Sequence, residues 1–308
     1  MVWKRPNRRL IGEAEASAGI AEVYTEIKSL LRVPQVPLLF QIYAGNGSFL
    51  TQFWRALKPV LRTRAFAGAA ERLSADAYTR MHNYFEIADL RLGGGGAAPP
   101  ELARALETFQ RQDARLLLLL SLAAEAFDNP VGQSSTPAEE AAAEDCSFNP
   151  ALPETEMSAQ TARILEEARR QSGVGVAPPE LRVLAAWPEF LGQYWQNWKG
   201  IAESPMLSAC ENQLLRHSIE LAYRLPGPVE LSFAALRESG VKEEDFSGMA
   251  RLARRWHRAF ARQLLQLSGA KIAFEGGSNG ARTQPEVQRP AAEKHAAVNQ
   301  PETPTRAA

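Results

Sequence analysis

Apolar residues along this chain recur every three or four positions, and no sustained alternation of apolar and polar residues appears. Ile20, Val23, Tyr24, Ile27, Leu30 and Leu31 make one helical stripe, with Ser17 placed to cap its start. Phe49, Phe53, Trp54, Leu57 and Leu61 make a second, and a third helix is expected over 69–88. Four glycines at 93–96, followed by Pro99 and Pro100, break the chain. A long helix over 101–127 follows, with an interruption near Asp113 left open. Its run Leu116 to Leu120 is hemmed by Asp113, Arg115 and Glu125, too short to cross a bilayer, and reads as a buried segment.

The second half repeats the first at a shift of 141 positions. Phe49-Leu50-Thr51-Gln52-Phe53-Trp54 falls on Phe190-Leu191-Gly192-Gln193-Tyr194-Trp195, Lys58 on Lys199, and Glu26 on Glu167. The same shift pairs Ser17 with Ser158, Val33 with Val174 and Pro37 with Pro178. Helices are expected after Ser158, along Phe190–Trp198, over 210–223 and over 246–267, with a break at Leu225-Pro226-Gly227-Pro228. The fold class that follows is all-α: two tandem helical repeats forming an intramolecular pseudo-dimer, by the logic of isologous subunits. Repeat 1 spans 1–128 and repeat 2 spans 158–273. A Pro-, Ser- and Glu-rich linker covers 129–157, and residues 274–308, poor in large apolar side chains, read as a disordered C-terminal tail.

Charge narrows the function classes. Lys and Arg number 35 and Asp and Glu 35, so no net field draws the chain to nucleic acid or to a membrane surface. Cys146 and Cys210 form neither a CxxC nor a zinc set, which fits a reducing, cytoplasmic setting. The basic start, Met1 to Pro6, lacks the apolar run of a signal peptide. The glycine run has no Lys-Ser/Thr after it and reads as a linker rather than a phosphate loop. His82 with Glu86, and Gln213 with His217, lie one helical turn apart, but no converging ligand set accompanies them, so no metal is expected. Arg251, Arg254, Arg255, Arg258 and Arg262 read as a solvated face, and His257 among them as half exposed. No Gly-x-Ser-x-Gly elbow is present. Trp54 and Trp195 read as core.

A single site on a pseudo-twofold axis has to break the repeat. Under the 141 shift Glu180 falls on Leu39. In the long helices Ala114-Arg115-x-Leu117-Leu118-x-Leu120-Ser121 matches Ala261-Arg262-x-Leu264-Leu265-x-Leu267-Ser268, which sets Asp113 on Phe260. Each copy thus holds one acid whose mate is apolar. A carboxylate in a core position must be paired, protonated or functional. A carboxylate at a helix start, favoured by the macrodipole, is the plainer reading of Glu180.

These stretches resemble the group I 2-haloacid dehalogenases, which act on both D- and L-haloacids. The matching segments are Leu31-Arg32-Val33-Pro34-x-Val36, Phe53-Trp54-Arg55, Phe109 leading into Arg115-Leu116-Leu117-Leu118, Leu184-Ala185-x-Trp187-Pro188, and Arg224-Leu225-Pro226-Gly227. The resemblance implies an all-helical pseudo-dimer with one site between the repeats. It also implies a hydrolase that uses neither cofactor nor metal. In the family an Asp before the Trp-Pro turn activates water for direct attack on the halogen-bearing carbon, with inversion; here that place holds Glu180. A family Asn that holds the water is replaced by Asp113. Pocket positions fall at Gln35, Leu38, Leu116, Pro179 and Trp256. The implied partner is a small carboxylic acid substrate, with neither nucleic acid nor membrane, and a homodimer is compatible with it. Two carboxyls beside an anionic substrate repel, so at least one should hold a proton, unless Arg111, Arg115 or Arg182 compensates. The rival readings are an enzyme of the same fold with another substrate, and a catalytically silent helical protein that binds a ligand.

Overall fold

The computed structural model describes residues 10–90, 99–133, 139–140 and 157–280. After a 3-10 turn at Glu13–Glu15, the first copy runs α1 (Ala18–Leu31), α2 (Leu38–Ala44), α3 (Gly47–Leu61), α4 (Arg64–Tyr84) and α5 (Pro100–Ala126). The second runs α6 (Ala159–Gln171), α7 (Pro179–Leu184), α8 (Pro188–Ala202), α9 (Pro205–Tyr223), a short α10 (Phe233–Arg237) and α11 (Glu243–Glu275). The starts of α1 to α4 fall on those of α6 to α9 at the 141 shift without a gap. The repeat is therefore structural as well as sequential.

The two copies use the same internal clamp. Trp54 Nε1 donates to Glu26 Oε2 at 2.7 Å, and Lys58 pairs with the same carboxylate. In the second copy Trp195 Nε1 donates to Glu167 Oε2 at 2.7 Å, and Lys199 lies 3.1 Å from it. Each indole is buried while its N–H finds an acid, so burial strands no donor.

α5 and α11 lie side by side and form the most extensive helix pair. They run antiparallel. Gln110 Nε2 donates to Ser268 Oγ at 3.2 Å, and Ser121 Oγ, further along α5, lies 2.8 Å from His257 Nε2, further back along α11. Gln110 and His257 are mates, as are Ser121 and Ser268, so one contact is made twice about the axis. Leu116 to Leu120 are all buried in the middle of this pair. α2 packs on α11 and α7 on α5, so each short helix leans on the long helix of the other copy. That exchange brings a side chain from repeat 2 against one from repeat 1.

Several expectations need correction. α5 is unbroken at Asp113, because Leu102, Leu106, Phe109 and Leu116 keep one buried face through that point. Ser17 stands at the cap position of α1 but makes no side-chain cap bond, whereas Ser158 Oγ accepts from Thr161 N at 3.1 Å. α4 begins at Arg64, capped by Thr63, and stops at Tyr84; Glu86–Ile87 (β1) then pairs antiparallel with Ser278–Asn279 (β2). The long second helix runs past 267 and past the boundary at 273 to Glu275, held by buried Ile272 and Ala273. His257 is buried, 6% exposed, because α5 and α9 cover it with Ser121 and Ser218.

Of the expected linker, 129–133, 139–140 and 157 are described; 129–133 lie against the turn after α9, through bridges Val131–Val229 and Gln133–Pro226, and Glu140 bridges to Thr63. A β-carbon at Gly132 would come within 2.1 Å of Gly227 O, so only glycine permits that approach. The glycine run at 93–96, Cys146, the basic start and the chain from 281 onward lie outside the described residues. Among the described residues no helix is long and apolar enough to cross a membrane.

Candidate active site

Asp113 sits in the middle of α5, and Glu180 is the second residue of α7, the helix that leans on α5. Both are buried, Asp113 at 4% and Glu180 at 3% exposure. Asp113 Oδ2 and Glu180 Oε1 are each enclosed with no hydrogen-bond partner. A native protein rarely strands one buried carboxylate oxygen, and two that interact point to something they are built to hold. Their mates, Leu39 and Phe260, are buried as well, so the equivalent place on the other side of the axis is apolar.

Burial raises the pKa of both groups. Desolvation carries Glu180 to about 7, opposed by a hydrogen bond from its own backbone N–H. Desolvation raises Asp113 well above the ordinary carboxylate range, and the Glu180 charge raises it further. Asp113 is therefore the holder of the proton near neutrality, and Glu180 is the group that can lose one. The three cations considered as compensation go elsewhere. Arg111 pairs with Glu107 at 2.5 Å, Arg115 Nη1 donates to Leu30 O at 3.0 Å, and Arg182 is exposed.

The sequence reading missed three buried polar groups, of which Tyr194 lies within electrostatic reach of Glu180. Tyr194 of α8 is fully buried and donates its hydroxyl proton to Gln266 O on α11. Its pKa is raised by desolvation and then by the Glu180 charge, which puts its ring in the electrostatic reach of that carboxylate. Gln263, one turn before Gln266, buries its Oε1 without a partner. A cavity of about 10 Å³, lined by Pro178, Gln263 and Gln266 among others, has room for roughly one water. The repeat carried a signal for all three: the mates of Tyr194, Gln263 and Gln266 are Phe53, Leu116 and Leu119, each apolar.

The remaining anticipated pocket residues spread out. Leu116 is buried in α5 one turn after Asp113. Trp256 is buried in α11 with its ring 5.7 Å from that of Phe260. Leu38 opens α2 and is half-buried, while Gln35 and Pro179 are exposed. Among the described residues no group of three or more His, Cys, Asp or Glu could hold a metal ion. His82 is exposed, and His217 faces Asp76.

An all-helical pseudo-dimer with one buried acid pair, made where the repeats exchange helices, is the class that the fold and site define. Residues 34–180 match the family model described as "Halocarboxylic acid dehydrogenase DehI". An (R)-2-haloacid dehalogenase from Rhizobium sp. (strain NHG3) is 21% identical over 234 residues, covering 73% of this chain and 91% of that protein. The solved structure of a D-2-haloacid dehalogenase in complex with L-LA superposes with a TM-score of 0.77 at 16% identity, covering 86% of this chain and 96% of that one. A mutant of a D-2-haloacid dehalogenase in complex with D-2-CPA gives a TM-score of 0.75 at 16% identity, with 86% and 95% covered. Over residues 34–180 the chain is thus similar to the DehI family, and it shares its fold with the D-2-haloacid dehalogenases.

Proposed function

We propose that this chain is a hydrolase that cleaves the carbon–halogen bond of short 2-haloacids by direct attack of an activated water. The observation that carries the reading is the buried pair of acids with an orphaned oxygen on each. Glu180, with a pKa near 7, is ionised enough to accept a proton and basic enough to drive its transfer, the balance a general base requires. It takes one proton from the water while the water oxygen attacks C2 from the side opposite the halogen. The C–X pair leaves as halide, the product is the inverted 2-hydroxy acid, and Glu180 returns its proton to solvent. Asp113, protonated, donates a hydrogen bond to the water oxygen and so replaces the family's Asn amide. Leu116 and Trp256 supply apolar wall, and Leu38, Gln35 and Pro179 stand toward the rim. The relatives that act on haloacids support the substrate class.

The test is incubation of purified protein with racemic 2-chloropropionate in H₂¹⁸O. Chloride and lactate should form, with ¹⁸O in the lactate hydroxyl during the first turnover. Glu180→Gln should lower the rate by about 1000-fold or more, in the range general-base removal costs. Absence of turnover across chloro- and bromoacids would remove the named reaction. Unlabelled first-turnover product would replace direct water attack with an enzyme ester.

A further inference from the structure

A cleft of about 640 Å³ opens between α4, α5 and the end of α11, and neither Asp113 nor Glu180 lines it. Its wall carries four cations, Arg32, Arg111, Arg115 and Lys271, against two acids, Glu71 and Glu275. The repeat shows how this wall was altered. Arg32 caps the end of α1 at φ 57, and its mate Gly173 stands two residues after the end of α6 at φ 71. A left-handed corner suits glycine, and a residue with a β-carbon is strained there. The second copy uses the residue that the backbone favours. The first keeps a guanidinium on that corner, in the wall of the cleft, and strain of this kind is retained where the side chain has work to do. Two further exchanges point the same way. Ala70 in the wall stands where the second copy has Glu211, whose Oε1 lies 3.0 Å from Arg262 Nη1, and Arg262 is the mate of Arg115. Lys271 stands where the first copy's long helix has Ala124. Glu71, opposite Asn212, and Ala75, opposite Arg216, run against them. At these positions this face has gained two cations and lost one acid relative to its mate, against one acid gained and one cation lost, and it has lost bulk at Ala70.

We propose that the cleft is a second ligand site, separate from the acid pair, for a small oxyanion such as a carboxylate or a phosphate. Forked guanidinium donors suit such groups, and Lys271 adds a point charge. The site rests on the cleft and the altered repeat, and stands or falls independently of dehalogenation.

Calorimetric titration of the full chain with inorganic phosphate, and separately with succinate, tests it. Saturable binding of one anion is expected to identify the preferred group, and binding of both a general oxyanion site; each weakens with added salt. Arg32→Gly, which restores the residue favoured by the corner, should fold at least as well as the parent and weaken binding at least about tenfold. Ala70→Glu, which restores the second copy's carboxylate, should weaken it similarly by charge alone. Glu180→Gln should leave it within about twofold. No saturable binding of either anion, affinity unchanged in both cleft variants, or affinity lost in Glu180→Gln would overturn the proposal.

Discussion

Asp76 and His217 are the same residue of the repeat, one in each copy, and they touch: Asp76 Oδ2 lies 2.8 Å from His217 Nδ1. Mates that meet must flank the pseudo-twofold axis, so this contact marks where α4 and α9 cross it. The same carboxylate also holds Arg80, Nε to Oδ1 at 2.9 Å. One acid thus ties its own helix to its mate's.

Asp76→Ala should lower stability by about 1 kcal/mol, the scale of charge-assisted bonds between half-exposed groups. Urea unfolding checks this, and an unchanged midpoint would mean that the axis contact contributes nothing.

Trp54→Phe and Trp195→Phe remove matched indole bonds to Glu26 and Glu167. Each should cost roughly 1–2 kcal/mol, the two values should agree within about 0.5 kcal/mol, and the double variant should lose their sum, since the clamps share no partner. Lys58 with Trp54, and Trp195 with Lys199, hold these carboxylates below the usual range. Their contribution is therefore present above the unfolded carboxylate value and is lost as pH falls through the folded one.

The acid pair acts in the opposite sense. Glu180 has a folded pKa of about 7 against a model value of 4.5. Its protonated form stabilises the fold below the unfolded value, and this is lost as pH rises through about 7. Glu180→Gln should thus be more stable than the parent at pH 8, by on the order of 2 kcal/mol, and nearly equal to it at about pH 4. His257, pushed down to about 4 by burial and then by Arg258, costs stability as pH falls from the ordinary imidazole value of 6.5 toward 4. His257→Gln should flatten that limb. Unfolding curves collected across pH for both variants measure the two effects separately.

Asp113→Asn keeps a neutral donor in place and should hold kcat within about tenfold. Asp113→Ala removes the donor and should lower kcat by roughly 100-fold, the lower end of what acid–base groups contribute. Steady-state kinetics on 2-chloropropionate distinguish them. Equal losses in both variants would mean that the Asp113 proton, rather than a donor in general, is needed.

Most of this architecture could be read from the chain, because helix starts repeat without a gap and the core stripes repeat with them. The acids were legible for a related reason: an exchange of Leu39 for Glu180, or Phe260 for Asp113, stands out once the mates are aligned. What escaped depended on contacts between distant helices. His257 looked half exposed because its neighbours in sequence are Trp256 and Arg258, while the residues that bury it come from α5 and α9. The end of α11 was misplaced because Ile272 and Ala273 are buried by tertiary packing, which local composition does not reveal. Tyr194 resembled its mate Phe53 closely enough to pass as core, although its hydroxyl is the difference that matters.

Titration of the carboxyl carbons by ¹³C NMR tests the central claim most directly. Coupled titration is expected, with one step near 7 and the Asp113 carboxyl shifted well above the ordinary aspartate range. Asp113→Asn should delete the Asp113 step and leave the one near 7. Glu180→Gln should leave a single step, still above the ordinary aspartate range but lower than in the parent, because the neighbouring charge is gone. If every Asp and Glu carboxyl of the parent titrates near 4, no proton is shared in the buried site, and the water-activating pair does not exist.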